Sequence, residues 1–214
     1  GTNGVVGAGF TVDASGVSVT AGVGTFTSYQ GSAASLTQIP AANLVGVCTS
    51  GLTKTGGFGK FASYAIICDR KSNGTDGGSL TSGQWRVRDL NHEIADEDGI
   101  VSIASNRFTL QAGTYLIKAN APQYGRGYHA LRLYNYTDDS TIADGQSNFA
   151  NYADNIYNSA FVWGRTTITG AKEFEILHRV SVSNSSTQGA GVGAGGGFNV
   201  NYEIYTVVEI YKEA

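Results

Sequence analysis

From residue 61 onward, runs rich in β-branched and aromatic residues alternate with Gly, Asn, Asp and Ser. The runs are FASYAIICD, QWRVRDL, IVSIA, NRFTLQ, GTYLIKANA, HALRLYNY, STIADG, SAFVWGRTTIT, KEFEILHRVSV and YEIYTVVEIYK. Short runs of this kind bounded by turn formers predict strands. KEFEILHRVSV is the clearest. Phe174, Ile176, His178, Val180 and Val182 fall on one face, and Glu173, Glu175, Leu177, Arg179 and Ser181 on the other. A period of two marks a strand with one buried side. No stretch keeps a 3.6-residue period across three turns. Residues 61–214 are therefore expected to form an all-β domain, with strands enough for a two-sheet sandwich or jelly roll.

The N-terminal part reads differently. Its first 53 residues carry one charged side chain, Asp13, and short β-like pieces such as FTVDA and VSVTA stand between glycines. With few large apolar residues, this segment cannot offset its own ordering entropy. It is either flexible or ordered against copies of itself or a larger assembly. Its poverty in charge favours the second, because disordered tails are usually charged. Residues 1–60 are read as a Gly/Ala/Val/Thr-rich attachment or shaft segment preceding the domain at 61–214.

Composition adds limits. The chain has 214 residues and a formal net charge of -3, and only 14% of its residues are charged, against about 25% in an average domain. A surface so poor in charge suits an oligomer or a coat of hydroxyls and amides. Arg and Lys form no basic stripe, so no nucleic-acid partner is expected. No apolar run nears the roughly 18 residues of a membrane span, so no membrane insertion is expected. The N-terminus has neither the basic start nor the apolar stretch of a secretory leader, and methionine is absent. Cys48 and Cys68 could form a disulfide if geometry allows. Two buried thiols are the alternative, which the apolar run YAIIC around Cys68 favours.

Several motifs carry a resemblance. NRFTLQAGTYLIKANAP (106–122) resembles the F-x-x-x-x-x-G-x-Y signature of the tumour-necrosis-factor/complement globular-head superfamily, with Phe108, Gly113 and Tyr115 in its key places. WRVRDLN (85–91) and DGIVSI (98–103) resemble the W…LN…G pattern that precedes it, and YEIYTVVEIYK (202–212) resembles its last central strand. YAIICDRK, TSGQWRVRDLN, GTYLIKANAP, FEILHR and EIYTVVEIYKEA, in that order, resemble the C-terminal domains of bacteriophage tail-fibre and related virion proteins. The resemblance covers about 61–214. It implies a jelly roll that assembles as a homotrimer around a threefold axis and binds receptors rather than catalysing. It does not cover the first 60 residues.

Chemistry is sparse. Gly191–Gly196 spell G-x-G-x-x-G, but NVNYEIYTVVEIY follows, a strand and not the helix a dinucleotide site needs, so no cofactor is expected. His92, His129 and His178 lack metal-ligand spacing, and His178 on an apolar strand face reads as packed and hydrogen-bonded. The acidic run ADEDG (95–99) lacks the alternating oxygens of a calcium loop and reads as a solvated turn. No metal is expected. There is no G-x-S-x-G elbow, and no carboxylate pair stands out for sugar cleavage. The sequons at Asn73, Asn135 and Asn184 read as chance occurrences in a chain rich in Asn, Ser and Thr.

Two stretches are candidates for binding. DGQSNFANYADNIYNSAFVW (144–163) interleaves aromatics with amides: Asn148, Phe149, Asn151, Tyr152, Asn155, Tyr157 and Asn158. Aromatic faces beside amides suit the C–H face and hydroxyls of a sugar, and also pack in interfaces. Both readings stand, and the poor alternation across 148–158 points to a loop. The second stretch, GAGVGAGGG (189–197), has six glycines in nine positions. It reads as an end loop in which Gly191, Gly193, Gly195 and Gly196 let backbone approach a receptor closely, or as a loop without a functional demand. Together these readings describe a non-enzymatic phage virion protein, a tail fibre or spike tip. It would be joined to other virion proteins by its N-terminal segment and would bind a host surface receptor or glycan. A capsid decoration or head-fibre protein is the alternative, and a surface-glycan hydrolase is a third.

Overall fold

The computed structural model describes residues 10–13, 16–19, 60–125, 127–150, 157–194 and 200–214. Contacts divide the chain into two units, Gly1–Thr53 and Lys54–Ala214. In the first, β1 (Phe10–Asp13) and β2 (Gly16–Val19) pair antiparallel, with Phe10 opposite Val19 and Asp13 opposite Gly16.

The second unit contains strands β3 (Phe61–Ser72), β4 (Arg86–Val87), β5 (His92–Ala95), β6 (Val101–Ala104), β7 (Arg107–Leu110), β8 (Gly113–Tyr124), β9 (Gly127–Asn135), β10 (Ser140–Ala150), β11 (Tyr157–Ile168), β12 (Lys172–Val180) and β13 (Tyr202–Glu213). One sheet has the order β11-β8-β13-β3-β5. The other has the order β10-β9-β12-β7-β6, with β4 also paired to β12. Every pairing in both is antiparallel. The chain passes from one sheet to the other at every step from β3 to β6, and again between β7 and β8, β8 and β9, β10 and β11, β11 and β12, and β12 and β13. Adjacent strands in each sheet are thus mostly distant in sequence, the winding of a jelly roll.

Alternation supplies the core. Leu131 and Leu133 from β9, Phe174 and Ile176 from β12, Tyr115 and Ile117 from β8, and Val208 and Ile210 from β13 meet between the sheets, all essentially inaccessible. The rings of Phe108 and Phe174 stack at its middle, with centroids 5.5 Å apart. Phe108 and Tyr115, both singled out by motif, lie in this core, and the Tyr115 hydroxyl donates to the Gln111 carbonyl at 3.0 Å.

Three local expectations are corrected. QWRVRDL keeps only Arg86–Val87 as strand. The next residue, Arg88, gives its amide to the Ile176 carbonyl and turns its side chain into the protein. The two faces of β12 are not one buried and one wet. Val182 lies beyond the strand and is exposed, while Glu175 and Leu177 are buried, Glu175 under the Arg107 guanidinium at 2.7 Å and Leu177 opposite Val87. Residues 148–150 and 157–158 are strand, since β10 runs to Ala150 and β11 starts at Tyr157. Two register shifts in β10 fall ahead of that stretch, between Thr141 and Ser147. The edge strand β5 was not expected. HEIA has one aliphatic residue, and its pairing to β3 is carried by backbone rather than by a buried face. Cys68 is a buried free thiol, and Cys48 lies outside the described residues.

One end of the interior is polar. His178, on the buried face as expected, shares a hydrogen bond with His129 (Nε2 to Nδ1, 2.9 Å), and the other nitrogen of His129 contacts the Asn158 amide oxygen at 2.8 Å. Arg88 lies beside them, 3% exposed, donating from Nε to Thr206 Oγ1 and from Nη2 to the Ala190 carbonyl, each at 2.9 Å. Burial lowers the Arg88 pKa to about 10. Burial, with the Arg88 charge adding to it, lowers His129 to about 4 and holds His178 well below the usual imidazole range.

The unfolded chain protonates both imidazoles near pH 6.5, and the folded chain resists until much lower pH. Their contribution is therefore complete above pH 6.5 and is lost as pH falls toward 4, by roughly 3 kcal/mol for His129 alone. Asp69, raised by burial, opposes the loss at the acid end. Thermal unfolding from pH 7 to pH 4 should show a falling midpoint, and His129→Gln should flatten that fall. A wild-type midpoint indifferent to pH would contradict this account.

Candidate functional site

The outward side of the β11-β8-β13-β3-β5 sheet is aromatic. Residues opposite one another in register share a face, so the pairings give rows across it. Arg165, Leu116, Tyr211 and Tyr64 form one row; Trp163, Lys118, Glu209 and Ile66 the next; and Phe161, Asn120 and Val207 a third. Phe161 and Trp163 stack at 6.0 Å with their planes within 10°, yet both keep more than a third of their surface exposed. Phe61 packs on Tyr211 at 5.2 Å. A depression of about 340 Å³ lies between Trp163, Phe161, Lys118 and Glu209.

Charge within these rows is matched internally. Lys118 and Glu209 approach to 3.7 Å, and Tyr211 donates its hydroxyl to Glu209 at 2.6 Å. Arg165 grips both oxygens of Glu213, at 2.8 and 2.7 Å, and that hydrogen bonding holds the Glu213 carboxyl below the usual range. These rows are apolar and aromatic with their ions already paired, the make-up of an interface centre more than of an open surface.

The opposite side of the sandwich, the outward face of β10-β9-β12, carries a groove of about 460 Å³. Trp85 is one wall. Tyr128 forms another, packed at 4.8 Å on Phe149, a predicted binding residue that is half exposed. Ala130 and Ser147, opposite each other in register, lie at its floor, with Arg179 paired to Ala130 from the other side.

The other predicted residues divide. The amides read as ligand groups are engaged within the chain: Asn148 donates to the Ser159 carbonyl and Asn158 to the Phe149 carbonyl, each at 2.9 Å, so they fasten β10 to β11. Tyr157 is half exposed at the start of β11. Asn151, Tyr152, Asn155, Gly195 and Gly196 lie outside the described residues.

The described part of the glycine run turns inward, against the expectation of a backbone offered to a receptor. Gly191 is buried with φ +144°, and a Cβ there would stand 2.1 Å from the Tyr205 ring. A Cβ on Gly193 would meet the backbone of Gly74 at 2.9 Å. The Gly191 carbonyl accepts from Gly77, Ala190 donates to Gly78, and the Gly189 carbonyl accepts from Tyr124. These glycines are required because backbone lies against backbone and ring inside the protein. The acidic run behaves as the expected turn: Asp96 caps it by accepting from the amides of Ile100 and Val101. No group of three or more metal-ligating side chains occurs among the described residues.

Trp85, Tyr128 and Arg179 were not foreseen as a site. They are far apart in sequence, and only the pairing of β9 with β12 and the return of the segment before β4 bring them together.

Gly191→Ala should lower stability by roughly 2–4 kcal/mol through overlap with Tyr205 and a disfavoured φ. Gly170→Ala, which meets open space, should leave the melting temperature within a degree or two. Equal melting temperatures for the two variants would refute the packing described.

No protein-family model and no curated protein matches the chain. Similar solved structures include the globular domain of zebrafish complement 1qA protein, at 14% identity, covering 70% of this chain and 96% of that chain, with a TM-score of 0.41. They also include murine APRIL, at 10% identity, covering 70% of this chain and 98% of that chain, with a TM-score of 0.42. The jelly-roll assignment stands on the strand order of the chain itself.

Proposed function

We propose that this chain is a non-enzymatic virion protein of a bacteriophage, a tail-fibre or spike-tip component that self-associates as a homotrimer and binds a bacterial surface receptor. The observation that carries the self-association is the aromatic outward face of the β11-β8-β13-β3-β5 sheet. Phe161, Trp163, Tyr64 and Phe61 are exposed there beside the paired ions Lys118–Glu209 and Arg165–Glu213. Covering it with identical copies would remove apolar surface from water without stranding a charge. The low charge content of the whole chain fits the same reading. The ordered motifs resembling tail-fibre domains support the virion role, with residues 1–60 joining the unit to other virion proteins. The exposed aromatics of the opposite face support receptor contact.

Light scattering on the full chain should give a mass three times 22.4 kDa. Phe161→Glu with Trp163→Glu should reduce it to one copy, since burying two carboxylates at the seam costs several kcal/mol each. The trimer should adsorb to cells in a panel of bacterial strains, and the single-copy variant should adsorb far more weakly because it loses multivalency. A wild-type mass of one copy would overturn the trimer. Release of new reducing ends from surface polysaccharide would overturn the non-enzymatic role.

A further inference from the structure

The groove on the β10-β9-β12 face has the chemistry of a ligand site, and the geometry points to an acidic saccharide as its occupant. This inference rests on the receptor-binding reading above and names the class of receptor.

The walls are preset. The Arg132 guanidinium lies 4.2 Å from the Trp85 ring and is itself held by Asp144 at 2.7 Å, so the indole is backed by a fixed cation. Ser82 is bound through both its amide and its hydroxyl to Ser183 Oγ, at 2.9 and 3.0 Å, which fastens the segment leading to Trp85. Tyr128 is anchored through its backbone: its amide donates to Ser181 Oγ and its carbonyl accepts from the Ser181 amide, both at 2.8 Å. Its ring is 66% exposed. Two aromatic rings held in this way lose little entropy on binding and present flat apolar faces.

The floor is small. Ala130 and Ser147 lie in register between the walls, and nothing bulkier fills the space. Its volume falls in the range of about 300–1,000 Å³ usual for small-molecule sites. A pyranose matches it: C–H faces for the rings, hydroxyls for the serines.

Charge selects among saccharides. Among the described residues, no Asp or Glu lines the groove. Arg179 is exposed at its edge, and its guanidinium has neither an ion pair nor a hydrogen bond among the described residues. Arg132, one pair along on β9, is already neutralised by Asp144. The groove therefore offers one uncommitted guanidinium, suited to a singly charged carboxylate or phosphodiester. The interface proposed for self-association is on the other sheet, so the groove stays open in an oligomer.

The test is an array carrying galacturonic acid oligomers, phosphodiester-linked teichoic-type saccharides, neutral galactose oligomers and an Asp/Glu-rich peptide, probed with the full-length chain. One or both acidic saccharides should be retained, with the two arms telling uronic acid from phosphodiester. Arg179→Gln, an exposed change, should weaken retention by roughly tenfold or more. Trp85→Ala should abolish it, Trp85→Phe should keep most of it, and Trp163→Glu on the opposite face should leave saccharide affinity per chain unchanged. Equal retention of neutral oligomers, acidic retention undiminished in Arg179→Gln, capture of the peptide instead, or no retention at all would each overturn the inference. Adsorption of the same variants to the bacterial panel separates the two claims. If wild type and Arg179→Gln adsorb alike, the groove fails and receptor binding stands; if wild type adsorbs to no strain, the receptor-binding reading fails with it.

Discussion

A buried guanidinium organises the functional end of this protein. Arg88 is almost wholly removed from water, which is costly for an ion unless its donors are satisfied. Its Nε reaches Thr206 on β13 and its Nη2 the carbonyl of Ala190 in the glycine run, while its backbone amide bonds to Ile176 on β12. One residue thus ties both sheets and the segment between their last strands. Burial, with that charge adding to it, keeps His129 and His178 neutral, and in that state the pair can share the hydrogen bond that links β9 to β12 through their side chains.

That arrangement explains why glycines gather at 189–193. For the Ala190 carbonyl to meet Arg88, the chain must run close under β13, where the Tyr205 ring lies against Gly191 and the Tyr205 hydroxyl donates to Thr75 at 2.6 Å. A side chain at 191 would push the segment away and leave a buried cation short of an acceptor. The entropy given up by ordering glycine is offset by satisfying that ion and by the backbone bonds from Gly77 and Ala190.

Much of the architecture was legible because alternation records burial directly. β9 and β13 show it, whereas the core residues Phe108 and Tyr115 were marked by the resemblance to a family signature. What was hidden follows a physical rule as well. Nothing in QWRVRDL marks Arg88 as buried, since charge normally lies on the wet side. Its burial depends on acceptors, Thr206 and Ala190, more than a hundred positions away. β5 was hidden because an edge strand needs only backbone partners. The candidate residues of 144–163 were judged by composition, which cannot distinguish an amide that binds a ligand from one that staples two strands. Asn148 and Asn158 do the latter. The groove was invisible for a related reason: Trp85, Tyr128 and Arg179 carry no shared motif, and register alone makes them neighbours.

The two faces of the sandwich divide labour by how their charges are settled. On the β11-β8-β13-β3-β5 sheet, Lys118, Glu209, Arg165 and Glu213 neutralise one another beside stacked rings, so that face gains by losing water. On the β10-β9-β12 face, Arg132 has a partner and Arg179, among the described residues, has none, so an apolar covering there would strand a cation. Desolvating an unpaired guanidinium costs more than the adjoining rings would return. The second face is therefore a poor place for a dry contact with another copy and a good one for a ligand that brings its own negative charge. Because both sheets share one core, the proposed choice of which side associates and which side binds follows from these few ion pairs.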